Sequence, residues 1–549
     1  MCSPLLLFLA ASVSGTVQRG TAPLAGVVVN VVGGMDFEFT DNGMQTVPAS
    51  PQNAAATTGA DGRYMLADLH PGTYRIYVRR ELHGIPLTSR IVRVSEGQHL
   101  AAIDFSLPAE AAVSGKVLDE NGEPLSEITV RLVQRLYEQG VLRYVNRFST
   151  LTNQKGEYRI QGAIPGLSYL LMAEKFEKTL SAISDAPADL TKRRPSVVPL
   201  YFPGSPDPSG GAPIVLASGE HREFMNLRLK RTPGFCVDGR VEANGEPSAL
   251  AFQLNNEAVD LQGKGTTPWR TIQTGADGKF RLCDLHPGQY RIQTSRYGGA
   301  ISGIPSAGNG PRLEVAGEAQ VVIGKEDIHG LKVNATAPVP MPVQVVLDGD
   351  APPQLNRRVE VSLRPVALGS GSGGKPLIPG RIELTNLAVA DYIVTTGIAR
   401  DDLEVASSRL YVQDVTYAGV SVLHQPLRLG TAMGNAGLLV TMSLDGGTIA
   451  ASVSDKDGNP SPDAAIAIVP SGTPSETALP AFAVFGSADQ NGTYTSLPLA
   501  PGKYLVLATR DPFPLTPEGM ALLWSFRSRA TEADIGPKAD VRVMLAPVR

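Results

Sequence analysis

The sequence predicts an all-β protein: five tandem β-sandwiches, the fourth degenerate and the last carrying a short helix near its C-terminal end. Three observations predict this. A block of the form Asp/Asn-Gly-x-Tyr/Phe, followed shortly by Leu-x-Pro-Gly-x-Tyr, recurs along the chain. The residues after each turn alternate between apolar and polar. Gly (57) and Pro (43) are abundant in 549 residues without a Gly-X-Y period, the composition of many turns between short strands.

The chain opens on an apolar run, Leu5-Leu6-Leu7-Phe8-Leu9-Ala10-Ala11, with small residues at Ala10-Ala11-Ser12. No Lys or Arg precedes it. Residues 1–12 are therefore read as a leader or remnant signal peptide, the alternative being an apolar arm. With the leader comes an expected location outside the cytoplasm: periplasm, outer surface or secreted. No apolar run reaches the ~20 residues that span a bilayer as a helix.

The first repeat (13–108) contains Val13-Ser14-Gly15-Thr16-Val17, then Asp61-Gly62-Arg63-Tyr64-Met65-Leu66, then Leu69-His70-Pro71-Gly72-Thr73-Tyr74. Asp-Gly or Asn-Gly supplies the positive φ that a tight hairpin turn needs. Tyr64 and Leu66 then point one way and Arg63 and Met65 the other, as in a half-buried strand. The second repeat (112–231) has Val113-Ser114-Gly115-Lys116-Val117 and Lys155-Gly156-Glu157-Tyr158, with an insertion at 176–213. The third (235–334) has Val237-Asp238-Gly239-Arg240-Val241 and Asp277-Gly278-Lys279-Phe280. The fourth (335–430) is worn: Pro379-Gly380-Arg381-Ile382 leads to Asp391-Tyr392, with Val389-Ala390 replacing Pro-Gly. The fifth (431–549) has Asn491-Gly492-Thr493-Tyr494 and Pro501-Gly502-Lys503-Tyr504, and residues 517–530 read as a helix with Pro at its start. The turn glycines 62, 156, 278, 380 and 492 lie roughly 100 residues apart, the size of one sandwich. Short linkers such as Pro108-Ala109-Glu110-Ala111 predict a semi-rigid rod.

These motifs resemble the carboxypeptidase regulatory-like domain, a transthyretin-like sandwich, arranged serially as in large exported proteins of soil bacteria. The resemblance covers most of 13–549, weakly in the fourth unit. It implies the fold and a non-catalytic role, together with a fold-level kinship to carbohydrate-binding-like sandwiches.

Candidate chemistry is sparse. Gly369-Ser370-Gly371-Ser372-Gly373-Gly374-Lys375 approaches a phosphate loop, but Pro376 replaces the Ser or Thr that holds magnesium, and the segment enters a strand. The seven histidines form no metal-ligand pair, and no Gly-x-Ser-x-Gly elbow occurs. His70 and His286 share a repeat position that elsewhere holds Ile164, Ala388 and Ala500, so it is a turn position and not a ligand. Asp455-Lys456-Asp457-Gly458-Asn459 offers too few oxygens for calcium and is good turn chemistry. Cys236 and Cys283 fall in one repeat; they are read as a disulfide or as two small buried side chains, the second being favoured. Aromatics make up 6% of the chain, and only Trp269 and Trp524 are tryptophans. Trp269 is the best single ligand-contact candidate. A pocket is expected between domains or under the 176–213 insertion, lined by Tyr201 and Phe202.

No catalytic, cofactor-binding or metal-binding residue is expected. The reading is a non-catalytic, exported structural and binding protein, with a carbohydrate-binding array on the cell surface as the alternative. Partners would be a protein or glycan at the surface. A net charge of −4 from 49 basic and 53 acidic residues is no nucleic-acid footprint.

Overall fold

A computed structural model describes residues 10–33, 55–79, 86–138, 140–175, 196–257, 270–298, 312–349, 358–366, 371–398, 409–430 and 436–548. The chain is all-β, with a short helix near its C-terminal end. Five apolar cores, each drawn from one contiguous stretch of sequence, lie between facing sheets.

The first core shows the plan. One sheet holds Ala11–Arg19 antiparallel to Arg63–Leu69, with the closing strands His99–Leu100 and Phe105–Ser106 parallel to Ala11–Arg19. The other holds Ala55–Thr57, Val28–Gly33, Gly72–Arg79 and Pro86–Val94 in that order. Alternation sends Val13, Val17, Tyr64 and Leu66 inward to meet Val31, Tyr74, Ile76 and Val78. Each fully buried side chain of this kind contributes about 1.5–3 kcal/mol. The first strand starts at Ala11, itself fully buried, so the expected cleavage site overlaps the first strand.

The parallel pairing of first and last strands recurs. Ala111–Leu118 pairs with His221–Arg222 and Leu227–Arg228, and Phe235–Ala243 with Ile328–Thr336. Val339–Asp348 pairs with Leu438–Ser443, and Thr448–Val453 with Asp540–Leu545. Leu438, Val440 and Met442 thus belong to the fourth core, past the expected boundary at 430. In the third unit, Arg312–Ile323 pairs with strands of both sides and joins them into one eight-stranded sheet.

The Asp/Asn-Gly turns are corners between sheets, not hairpins. Ala55–Thr57 and Arg63–Leu69 lie on opposite sheets of the first sandwich. Gly62, Gly156, Gly278 and Gly492 all have φ between 69° and 74°. A Cβ on any of them would lie 2.3–2.7 Å from the carbonyl oxygen of Val17, Val117, Val241 or Val453, respectively. Gly380 differs: it heads the strand Gly380–Leu387 opposite Val345, outside the positive-φ set.

Among the described residues, two sandwiches have a sheet buried on both faces. In the second, Val130 and Leu132 face the core while Val133, Leu170 and Met172 face outward, covered by Tyr201. In the fifth, Ile466 and Ile468 face the core while Ala467, Val469 and Leu507 face Met520 and Leu523 of the helix Pro517–Ser525. These two sandwiches meet: the Tyr137 N–H donates to Leu515 O at 2.6 Å, and Arg135 pairs with Glu518. The fifth sandwich also touches the first, where the Arg93 N–H donates to Gln490 Oε1 (2.9 Å) and Gln490 Nε2 donates back to Arg93 O (2.8 Å). It touches the fourth through Arg409 and Asp540 (2.6 and 2.7 Å). An extended rod would keep the first and fifth units apart. Short linkers fix which units are neighbours in sequence but not the angle between them, and the chain folds back.

Candidate functional site

The residues singled out in the sequence are scattered. Trp269 lies outside the described residues, as do residues 176–195 of the insertion. Tyr201 is fully buried: its strand, Leu200–Tyr201, pairs with Met172 and Ala173, so its ring offers no face to a ligand. Phe202 packs against the second core. His286 is buried and bonds Asn256 Nδ2 (2.9 Å) and Pro287 O (3.0 Å). Asp455 Oδ1 accepts the N–H groups of Asp457 and Asn459, both at 2.9 Å, which is turn geometry. Cys236 and Cys283 lie on adjacent strands with Cα atoms 4.0 Å apart and are joined by a disulfide.

The repeated residues are used structurally. Tyr74, Tyr290, Tyr392 and Tyr504 each donate a hydroxyl hydrogen bond to the carbonyl four residues upstream, at 2.8–3.0 Å. Tyr169 does the same five residues upstream, to Ile164 O. The motif is a tyrosine corner, present in all five units including the fourth. Tyr64 and Tyr158 instead bond the closing strand, at Ile103 O (2.6 Å) and Met225 O (2.5 Å). Those same carbonyls lie 2.1 and 2.4 Å from where a Cβ on Gly15 and Gly115 would sit. The glycine of Val-x-Gly-x-Val is therefore the space through which the closing strand approaches.

Two features remain. The first is a sealed ion pair on the outward face of the second sandwich. Arg131 Nε and Glu174 Oε1 are 2.7 Å apart, each side chain 5% exposed. Burial pushes the Glu174 carboxyl up despite the guanidinium beside it. Burial, reinforced by Glu174, also holds the Tyr201 hydroxyl well above its ordinary value. Enclosed in this way, the cluster orders the packing around it.

The second is a cleft of about 350 Å³ on the outer side of the fifth sandwich. Val469, Leu479, Leu505, Leu507, Leu523 and Trp524 line it, with Ser471, Thr473 and Arg527 at the polar edge. Thr516 caps the helix by accepting the Gly519 N–H (3.1 Å), and Pro517 opens it. The helix then sets Trp524 half-buried against the sheet with the Arg527 guanidinium 4.3 Å above its ring. Such a site receives an apolar group and an adjoining negative charge. Sequence reasoning found the helix and Trp524 but not the cleft. The missed signal is the continuous apolar runs 464–469 and 504–508, which do not alternate and so mark a sheet with two apolar faces.

No family model matches the chain, and no curated protein matches it. Among solved structures it is similar to a streptococcal ancillary pilin (13% identity, 59% of this chain, 98% of that chain, TM-score 0.20). It is also similar to the minor pilin GBS52 of Streptococcus agalactiae (14% identity, 41% and 97% covered, TM-score 0.24). A third is the TIE protein of Bacillus anthracis (10% identity, 79% and 73% covered, TM-score 0.15). TM-scores this low align no residue of this chain with an equivalent there.

Proposed function

We propose that the chain is a non-catalytic, exported structural and binding protein made of five carboxypeptidase regulatory-like repeats. The single observation that carries this reading is how the repeated residues are spent. The recurring tyrosines close corners, the recurring glycines admit a carbonyl or turn the chain, and the alternating aliphatics fill five cores. A repeat that carried chemistry would repeat a polar residue with a free face. What is preserved from unit to unit here is the scaffold. Polar contacts join the fifth sandwich to the first, second and fourth.

The test has two arms. Fractionation of expressing cells should find the chain outside the cytoplasm; exclusive cytoplasmic retention would overturn the localisation. The purified full chain should show no turnover of peptide, ester or glycoside panels. Turnover abolished by replacing one buried acid, His or Ser would overturn the non-catalytic reading.

A further inference from the structure

We propose that the chain self-associates head to tail, with Phe224 of one copy seated in the Trp524 cleft of the next. Phe224 is 82% exposed. Its φ is +59°, a left-handed conformation that a bulky side chain adopts only at a cost. The fold needs that conformation: it kinks the closing strand between its two short pairings, and in the second unit the next residue, Met225, donates its N–H to Ser114 O. In the first unit the same place is held by Ala102 (φ +61°), and in the third by Gly330 (φ +69°). A small residue therefore serves the kink. An aromatic ring at this position gains nothing from its own sandwich, since most of it faces solvent.

The cleft is the complementary shape. Its walls are aliphatic plus one indole, and 350 Å³ holds a phenyl ring with room for its neighbours. The charges match as well. Glu220, four residues before Phe224, is already met by Arg222 (2.7 Å), while Glu223, next to Phe224, is 53% exposed and has only His221 (3.4 Å) as an ion-pair partner among the described residues. At the cleft, Arg527 lies over Trp524 with no carboxylate partner among the described residues. Seating the ring would bring Glu223 to Arg527. A head-to-tail contact of this kind generates open chains of copies, whereas reciprocal exchange of the two rings between two copies would close a dimer of fixed stoichiometry and overturn the head-to-tail arrangement. One ring in one cleft makes a weak contact, below the area of a standard stable interface. Association is therefore expected only at high local concentration, such as on a crowded surface. The proposal goes beyond the function proposed above and stands whether or not the chain is exported.

Sedimentation velocity of the full chain over a wide concentration range tests it. The wild type should show a weight-average mass that climbs with concentration without a fixed stoichiometry. Phe224→Gly suits the backbone, so it should leave the chain folded while weakening association about tenfold or more. Glu223→Lys and Arg527→Glu should each weaken association alone, and an equimolar mixture of the two should restore it. A wild type that stays monomeric overturns the proposal, as does unchanged association in Phe224→Gly. Association insensitive to Arg527→Glu would remove the cleft as the receptor. Native mass spectrometry that finds a small apolar molecule filling the cleft would also overturn it.

Discussion

At the scale of single residues, two kinds of glycine carry different burdens. Gly115 has an ordinary φ, but a Cβ would lie 2.4 Å from Met225 O, so Gly115→Ala must push the closing strand away. Gly122 has φ +88° and nothing within 4 Å of an added Cβ. Gly122→Ala should therefore cost about 1 kcal/mol of backbone strain, and Gly115→Ala clearly more. Thermal melts of the two variants check the order. The tyrosine corner makes a second prediction. Tyr290→Phe keeps the ring in the third core but removes the hydroxyl bond to His286 O (2.9 Å). The expected loss is about 1 kcal/mol, read by chemical denaturation. These roles were half legible in the sequence. The Tyr recurrence marked a core position, but its partner carbonyl is a matter of how the loop closes and has no side-chain signature. Gly15, Gly115 and Gly239 recur visibly, yet what they make room for lies about 90 to 110 residues downstream, at Ile103, Met225 and Leu331.

At the scale of elements, the outward face of the second sandwich is held by a buried charge pair. Removing one partner leaves the other uncompensated. Arg131→Leu should destabilise the chain by about 3–5 kcal/mol, whereas Arg131→Leu combined with Glu174→Leu should be much closer to wild type. A double-mutant cycle in denaturant measures the difference. The sequence missed this face because it treated each strand as half-buried by alternation. Thr129–Glu138 and Ser168–Glu174 are buried on both sides, and the aliphatic outward residues Val133, Leu170 and Met172 were the available sign. Tyr201, expected to line a pocket under the insertion, is a strand residue that seals the face instead. The sequence also expected Asp/Asn-Gly hairpins. Local turn chemistry fixes the bend but not whether the next strand joins the same sheet, so corner and hairpin look alike in a single sequence.

At the scale of the whole molecule, the joint between the fourth and fifth sandwiches has a pH signature. The Arg409 guanidinium and the Thr448 hydroxyl, both bonded to Asp540, hold that carboxyl at about 2, below its ordinary value. A depressed carboxyl stabilises the folded state above the unfolded value near 4 and loses that contribution as pH falls towards 2. The difference in melting temperature between wild type and Asp540→Asn should thus be present at pH 6 and shrink between about pH 4 and pH 2. Asp540 is largely exposed, so the effect should be modest and weaken in salt. The joint to the first sandwich is checked separately. Gln490→Ala removes both bonds to Arg93, Asp463→Ala removes the ion pair to Arg90 (3.5 Å), and small-angle scattering of the double variant should show a larger radius of gyration than the wild type. The five-unit count was legible because turn and core residues repeat. The folding back was not, because it depends on single contacts such as Gln490 with Arg93, which nothing in a repeat announces.

The parallel pairing of first and last strands also sets a schedule. In the first sandwich Asp104 caps Thr16 from 88 residues away, in the second Asn226 bonds Lys116 from 110, and in the fifth Asp540 bonds Thr448 from 92. A strand that emerges first must wait, one edge uncovered, for a partner made last. Each unit is then a slow step that cannot finish until its own tail has appeared, whatever its neighbours have done. As the chain emerges from a ribosome or a membrane pore, the units would complete in order, one at a time. A chain cut before Asp540 would carry four finished sandwiches and a fifth left permanently open along the edge of Thr448–Val453.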